Sequence, residues 1–153
     1  MIVVRPAAAD DIDQLLMLTE EMDRFYGGTS VEPIEQRRQQ VHDALFGDLP
    51  AAQMSLACDG ETAVGFASYS FLWPAVGLTR SLYLKELYVS QAQQRQGVGR
   101  ALMESLLEIA RKNDCSRVEW TTDASNSAAQ VFYEACGVEP SSSKLFYRLE
   151  QLP

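Results

Sequence analysis

The chain has 153 residues, of which 46% are apolar, 9% aromatic and 22% charged. That length suits one compact domain with a core of its own and excludes a disulfide-stapled miniprotein. With 13 Lys and Arg against 21 Asp and Glu, the formal net charge is −8, which argues against nucleic acid as a partner because counterion-release binding needs a basic face. The charge suits a cationic small substrate, and equally plain acidic solubility. No apolar run approaches the roughly 18 residues of a membrane span, so no membrane partner is expected. The N-terminal stretch has too short an apolar core for a signal peptide. Cys58, Cys115 and Cys136 are odd in number and lack metal-ligand spacing. The expectation is a cytoplasmic, reduced, single domain over 1–153, without a metal.

Taken in chain order, Ile2, Val3 and Val4 form a β-branched run closed by Pro6, a first strand. Asp10 or Asp11 caps a helix whose apolar positions Ile12, Leu15, Leu16, Met22 and Phe25 keep a helical period, and Gly27 and Gly28 stop it. A second helix opens at Pro33 and runs through Val41, Leu45 and Phe46 to Gly47, with a charged, wet face. Two apolar runs, 53–58 and 62–71, flank Asp59-Gly60, a hairpin signal because glycine accepts the positive φ of such a turn. A loop follows from Trp73 to Thr79. Residues 81–89 are apolar on both faces and predict an interior strand. Over 97–112, Val98, Ala101, Leu102, Leu106, Ile109 and Ala110 make one continuous stripe, the best helix in the chain. A strand at 117–122, a short helix at 127–136 ended by Gly137, and a last strand at 144–149 complete the order. This β-α-α-β-β-β-α-β-α-β succession describes an α/β fold, a mixed central sheet flanked by helices.

The segment from Leu84 to Ala101, LKELYVSQAQQRQGVGRA, carries the chemistry. A strand ends at Val89, a polar loop follows, and a helix starts at Gly97-Val98-Gly99. The first turn of a helix has N–H groups without intrahelical partners, and its dipole adds positive potential. Glycines at 97 and 99 let a phosphate approach the backbone, and Arg95 and Arg100 add charge on the flanks. Read alone, Gly97 is equally a turn residue and Gly99 a close-packing one. A Walker loop is excluded, since no Gly-Lys-Ser/Thr follows, and so is a Rossmann fingerprint, which needs a third glycine.

Gln94-Arg95-Gln96-Gly97-Val98-Gly99 matches the Q/R-x-x-G-x-G/A motif of the GNAT superfamily of N-acetyltransferases. It stands behind Glu86-Leu87-Tyr88-Val89, which resembles that family's fourth strand. Further on, the run from Asn126 through Ala129, Phe132 and Tyr133 to Gly137 resembles the family's N-x-x-A-x-x-F/L-Y-x-x-x-G element. The resemblance covers nearly the whole chain and implies a GNAT-like fold with acetyl-CoA as co-substrate. It maps the pyrophosphate onto Gln94, Arg95, Gln96, Gly97, Val98, Gly99 and Arg100. The pantetheine arm falls along Leu87, Tyr88 and Val89, where a β-bulge would splay two parallel strands. Asn126 and Ala129 complete the expected cofactor contacts.

Acetyl transfer needs a neutral amine, a polarised carbonyl and a proton for the leaving thiolate. Tyr133 matches the tyrosine that resembling enzymes use as the acid. Its other reading is an amphipathic core residue beside Phe132. A main-chain N–H of the fourth strand, most simply that of Leu87, would meet the oxyanion. Glu86 is the leading base, because a carboxylate on an apolar strand invites explanation. A pairing with Lys85 or Arg80, or an ordered water acting as base, stays open. Trp73 and Tyr83-Leu84-Lys85-Glu86 resemble the spermidine/diamine acetyltransferase branch, from which the chain departs at Lys85 and Ser125. Tyr26 and Trp73, with Glu86, are candidate acceptor-binding residues. Glu20, Glu21, Asp23 and Tyr26 end the first helix, as an acceptor wall or a solvated face. His42 is read as a surface residue and Cys136 as a small core residue, so direct transfer is preferred to an acetyl-cysteine. The expected function is acetylation of a primary amine of a small molecule: a diamine or polyamine, an amino acid derivative or an aminoglycoside. A protein lysine or N-terminal acetyltransferase and an acyl-CoA-binding sensor are the alternatives. A homodimer is an expectation by analogy.

Overall fold

The computed structural model describes residues 1–28 and 32–153, which form two compact units, Met1–Thr121 and Thr122–Pro153. In the first unit the elements are β1 (Ile2–Pro6), α1 (Ile12–Phe25), α2 (Ile34–Phe46), β2 (Gln53–Asp59), β3 (Thr62–Leu72), β4 (Arg80–Val89), α3 (Val98–Lys112) and β5 (Cys115–Trp120). Among the described residues the strands form one sheet in the order β1-β2-β3-β4-β5. Every neighbouring pair is antiparallel except β4 with β5, which is parallel. That mixture follows from the connections. A tight turn joins β2 to β3 and the loop 73–79 joins β3 to β4, whereas β4 reaches β5 through the crossover helix α3.

Local chemistry explains the element ends. Gly60 takes φ +60° in the turn that closes the β2–β3 hairpin, next to the Asp59–Thr62 pair. Ahead of α1, Asp11 accepts the Ala8 N–H at 2.7 Å and two bonds from the Arg5 guanidinium at 2.8 Å. The Arg5 hydrogen bonds, and to a lesser degree the Ala8 amide, hold the Asp11 carboxyl below its usual range against the opposing effect of burial.

Two apolar layers sandwich the sheet. On the α1 face Leu15 and Leu18 pack with Leu56, Cys58, Phe66 and Tyr88. Burying each of the large side chains contributes about 1.5–3 kcal/mol. On the other face lies α3, with Val98, Leu102, Met103, Leu106 and Ala110 buried. The expected stripe is thus seated as its period demands, and Met103 joins it. Gly65 makes the close approach possible: a Cβ there would stand 2.9 Å from the Tyr88 carbonyl oxygen and 3.2 Å from Val98 Cγ1.

The second unit contains α4 (Ser127–Ala135), which Asn126 caps by accepting the Ala129 N–H at 3.1 Å. The strand expected at 144–149 is not formed. Leu145, Phe146, Tyr147 and Leu149 are exposed by 63–85%. An apolar pattern proposes a strand, but only a backbone partner makes one, and the pattern cannot supply that partner.

No helix among the described residues is long and apolar enough to cross a membrane.

Candidate active site

The site is built at the C-terminal end of β4. Its register against β3 runs Gly65–Val89, Phe66–Tyr88, Ala67–Leu87 and Ser68–Glu86, then slips to Tyr69–Leu84. Lys85 is therefore an extra residue, a bulge that bends β4. The sequence reading expected such a bulge nearer Leu87 and Val89. On the other edge, β4 pairs with β5 from Arg80–Cys115 to Leu84–Trp120. Among the described residues no pairing of these strands continues beyond that point, so the bulge coincides with the parting of two parallel strands.

Hydrogen-bonding groups of successive strand residues alternate between the two edges. Ser90 donates its N–H to the Val64 carbonyl on β3 at 2.9 Å. By alternation the amide of Tyr88 also turns to β3, while those of Leu87 and Val89 turn to the parted edge. The Val89 carbonyl, on that same edge, accepts the Gln94 side-chain amide at 3.4 Å. The Tyr88 side chain is buried in the α1 layer, so only its main chain belongs to the site. Alternation sets Glu86 on the same α1 face of the sheet as Tyr88, half-buried and opposite Ser68.

Beyond β4 a short turn at Gln91–Gln93 leads through Gln94, Arg95 and Gln96 to α3. Gly97 is the N-cap, with φ +84° and open space where a Cβ would stand. Arg95 also holds a positive φ, 63°, a conformation that L side chains seldom adopt and that gathers at ligand-binding backbone. The first helical bond joins the Ala101 N–H to the Gly97 carbonyl at 3.0 Å. The amides of Val98, Gly99 and Arg100 precede the Ala101 bond and form the positive end of the helix dipole. Val98 is 1% exposed, so its contribution is its N–H alone. Gln94, Arg95, Gln96 and Arg100 are exposed around the glycine. An anion with adjacent phosphates fits this helix start, and an extended, amide-bearing chain fits the β4 edge.

The other expected residues have these surroundings. Tyr26 is 56% exposed beyond α1 and meets Phe25 edge-on at 5.2 Å. Trp73, 64% exposed, donates its indole N–H to the Leu78 carbonyl at 2.9 Å and so pins its own loop. His42 lies on the surface beside Asp43. With Asp10, Asp13, Glu35 and Arg38 it lines a cleft of about 430 Å³ that contains no expected site residue. In the second unit, Tyr133 is half-buried on α4 and packs against Phe132 at 5.2 Å. Asn126 and Ala129 satisfy one another in the α4 cap, so the Asn126 oxygen and the Ala129 amide already have partners.

Sequence reasoning missed the role of Glu21. It accepts the Tyr88 hydroxyl at 2.5 Å and the Ser90 hydroxyl at 3.2 Å. Burial first, and this carboxylate second, push the Tyr88 phenol well above the usual tyrosine range. The available signal was a serine directly after the strand.

The comparisons agree with this geometry. The model of the Acetyltransferase (GNAT) family matches residues 15–138. Aminoglycoside N(6')-acetyltransferase type 1 of Stenotrophomonas maltophilia is 30% identical over 125 residues, 80% of this chain and 78% of that protein. Spermidine/spermine N(1)-acetyltransferase-like protein 1 of Homo sapiens is 27% identical over 148 residues, 92% of this chain, which spans only 21% of that relative's length. The solved structure of an integron cassette protein from the mobile metagenome of V. cholerae superposes with a TM-score of 0.85 at 27% identity, covering 98% of this chain and 93% of that one. The parted β4 edge, the glycine helix start and the family match lead to one conclusion: the chain belongs to the GNAT family of acetyltransferases.

Proposed function

We propose that the chain is an N-acetyltransferase that moves an acetyl group from acetyl-CoA directly to a primary amine of a small molecule. The observation that carries this reading is the unpaired edge of β4 at Leu87 and Val89, which runs into the Gly97 helix start. Amides 98–100 and the flanking Arg95 and Arg100 hold the pyrophosphate. The Leu87 and Val89 N–H groups hold the amide-bearing arm and polarise the carbonyl at its end. Bound acetyl-CoA supplies the thioester. Glu86 takes a proton from the incoming ammonium, directly or through water, and passes it to solvent. The neutral amine forms the C–N bond as the C–S bond breaks, and Tyr133 gives its proton to the departing thiolate and regains one from the new amide nitrogen. A phenol with a reference pKa near 10 carries the proton needed for that role at neutral pH. The whole chain works as one transferase domain in this reading.

Acceptor class follows from charge and kinship. A net charge of −8 draws cations, and the relatives named above carry aminoglycoside and polyamine acetylation in their names. We assign the acceptor to polyamine-like, amino-acid-derived or aminoglycoside amines.

The test is thiol release from acetyl-CoA against a panel of such amines, each with a no-amine control. Turnover that falls at least tenfold in Tyr133→Phe, with acetyl-CoA binding retained, supports the reading. Silence across the panel with a thermal shift by acetyl-CoA points to a protein acceptor or a sensor. Silence with no thermal shift sinks the cofactor reading.

A further inference from the structure

We propose that Glu21 is a positioning residue for the cofactor strand: its carboxylate ties the end of α1 to Tyr88 and Ser90 and so fixes where β4 stops and the phosphate loop begins. The inference rests on the reading of β4 and the α3 start as the acetyl-CoA site.

The geometry singles out this carboxylate. Its two oxygens are used separately, Oε2 by the buried Tyr88 hydroxyl at 2.5 Å and Oε1 by the Ser90 hydroxyl at 3.2 Å. The partners lie 67 and 69 residues away in sequence. Ser90 occupies the N-cap position of the Gln91–Gln93 turn, where a serine oxygen ordinarily accepts a backbone N–H. Here it makes no such cap bond and gives its hydroxyl proton to Glu21 instead. Its backbone is held as well, since the Ser90 N–H extends the β3 ladder to Val64 and its carbonyl accepts the Gln93 N–H. One residue therefore joins sheet, α1 and phosphate loop.

The parted edge needs such an anchor. Past Leu84–Trp120, the strand pairings of β4 among the described residues of the first unit are with β3, and the amides of Leu87 and Val89 lie on its other side. Tyr88 stands between those two amides, and Glu21 holds its side chain from the α1 layer. Ser90 is the next residue before the loop to Gly97. A carboxylate that clamps both positions sets the spacing between the arm-binding amides and the phosphate-binding helix start. Small displacements of binding groups are costly to ligand affinity.

The test uses the full chain and acetyl-CoA itself. Calorimetry on Glu21→Ala is expected to show the Kd for acetyl-CoA rising about tenfold, as misplacement of binding groups allows. Glu21→Gln keeps one acceptor oxygen and loses the other, so its Kd falls between wild type and Glu21→Ala. Amides of the loop from Ser90 to Gly97 should exchange faster in the unliganded variant than in wild type. Ser90→Ala leaves the buried Tyr88 bond in place and serves if Glu21→Ala does not fold; a several-fold rise in Kd is expected there too. Asp11→Asn, which loosens a hydrogen-bonded carboxylate outside the site, is the stability control. If Glu21→Ala and Ser90→Ala lower the melting temperature as Asp11→Asn does but leave the Kd unchanged, Glu21 only stabilises the fold and the proposal is overturned. Failure of wild type to bind acetyl-CoA is a separate result, which removes the cofactor reading beneath it.

Discussion

Leu84 pairs with Trp120, and the two parallel strands that carry them part immediately afterwards. The extra residue Lys85 falls at that point, so one bulge bends β4 where the pairing with β5 ends and the amides of Leu87 and Val89 turn to that edge. Amides that serve a ligand must be unpaired before it arrives. Hydrogen exchange followed by NMR should therefore find the Leu87 and Val89 amides fast in the free protein and slowed by acetyl-CoA. Those of Tyr88 and Ser90, bonded to β3, should be slow in both states. Equal protection at all four would show that β4 is paired on both sides.

Gly65 sets how closely α3 approaches the sheet. A methyl group there meets the Tyr88 carbonyl oxygen at 2.9 Å, and that oxygen is part of a β-ladder and cannot turn aside. Gly65→Ala is expected to cost about 1–3 kcal/mol by overpacking. Because the displaced elements are α3 and β4, acetyl-CoA affinity should fall with the melting temperature. Stability lost with affinity intact would place the accommodation elsewhere in β3.

Gly97 separates conformation from packing. Open space surrounds the site of its absent Cβ, but its φ is +84°. Gly97→Ala should therefore cost only about 1–2 kcal/mol of stability through left-handed strain. Its effect on acetyl-CoA binding should be larger, since the new methyl group occupies the space in front of the helix start. The measurement is a pair of thermal melts with a calorimetric Kd. A loss of stability without loss of affinity would remove the phosphate site from Gly97.

Asp11 gives the protein an acid-sensitive joint. Its folded pKa is lowered, chiefly by the Arg5 hydrogen bonds, so its contribution is present above the unfolded value and fades as pH falls through the folded one. Arg5 is partly exposed, which limits the contribution to about 1–2 kcal/mol. Melts of wild type and Asp11→Asn should differ at neutral pH and converge below about pH 4. A gap that persists in acid would mean that shape, not charge, holds the joint.

Much of this was legible in the residues. Helical periods, the Asp59-Gly60 turn, the Pro33 start of α2 and the Gly97 start of α3 depend on neighbours a few positions apart, and they stand where the pattern puts them. The segment 144–149 carries an equally plain apolar pattern and forms no strand, because a strand is a relation between two segments. The Asn126 cap of α4, a bond that spans three residues, is likewise a short-range feature. Its signal is an asparagine placed directly before a helix.

The sequence by itself determined the helices, the β2–β3 hairpin, the family and the two motifs, because turn chemistry, periodicity and a glycine helix start are short-range properties. Tertiary structure alone decided where β4 leaves β5, which amides that parting frees, and what Glu21 does. Those depend on register between strands and on a carboxylate meeting hydroxyls almost seventy residues away. A chain records such pairings only through the free energy of the whole fold, so no local pattern displays them.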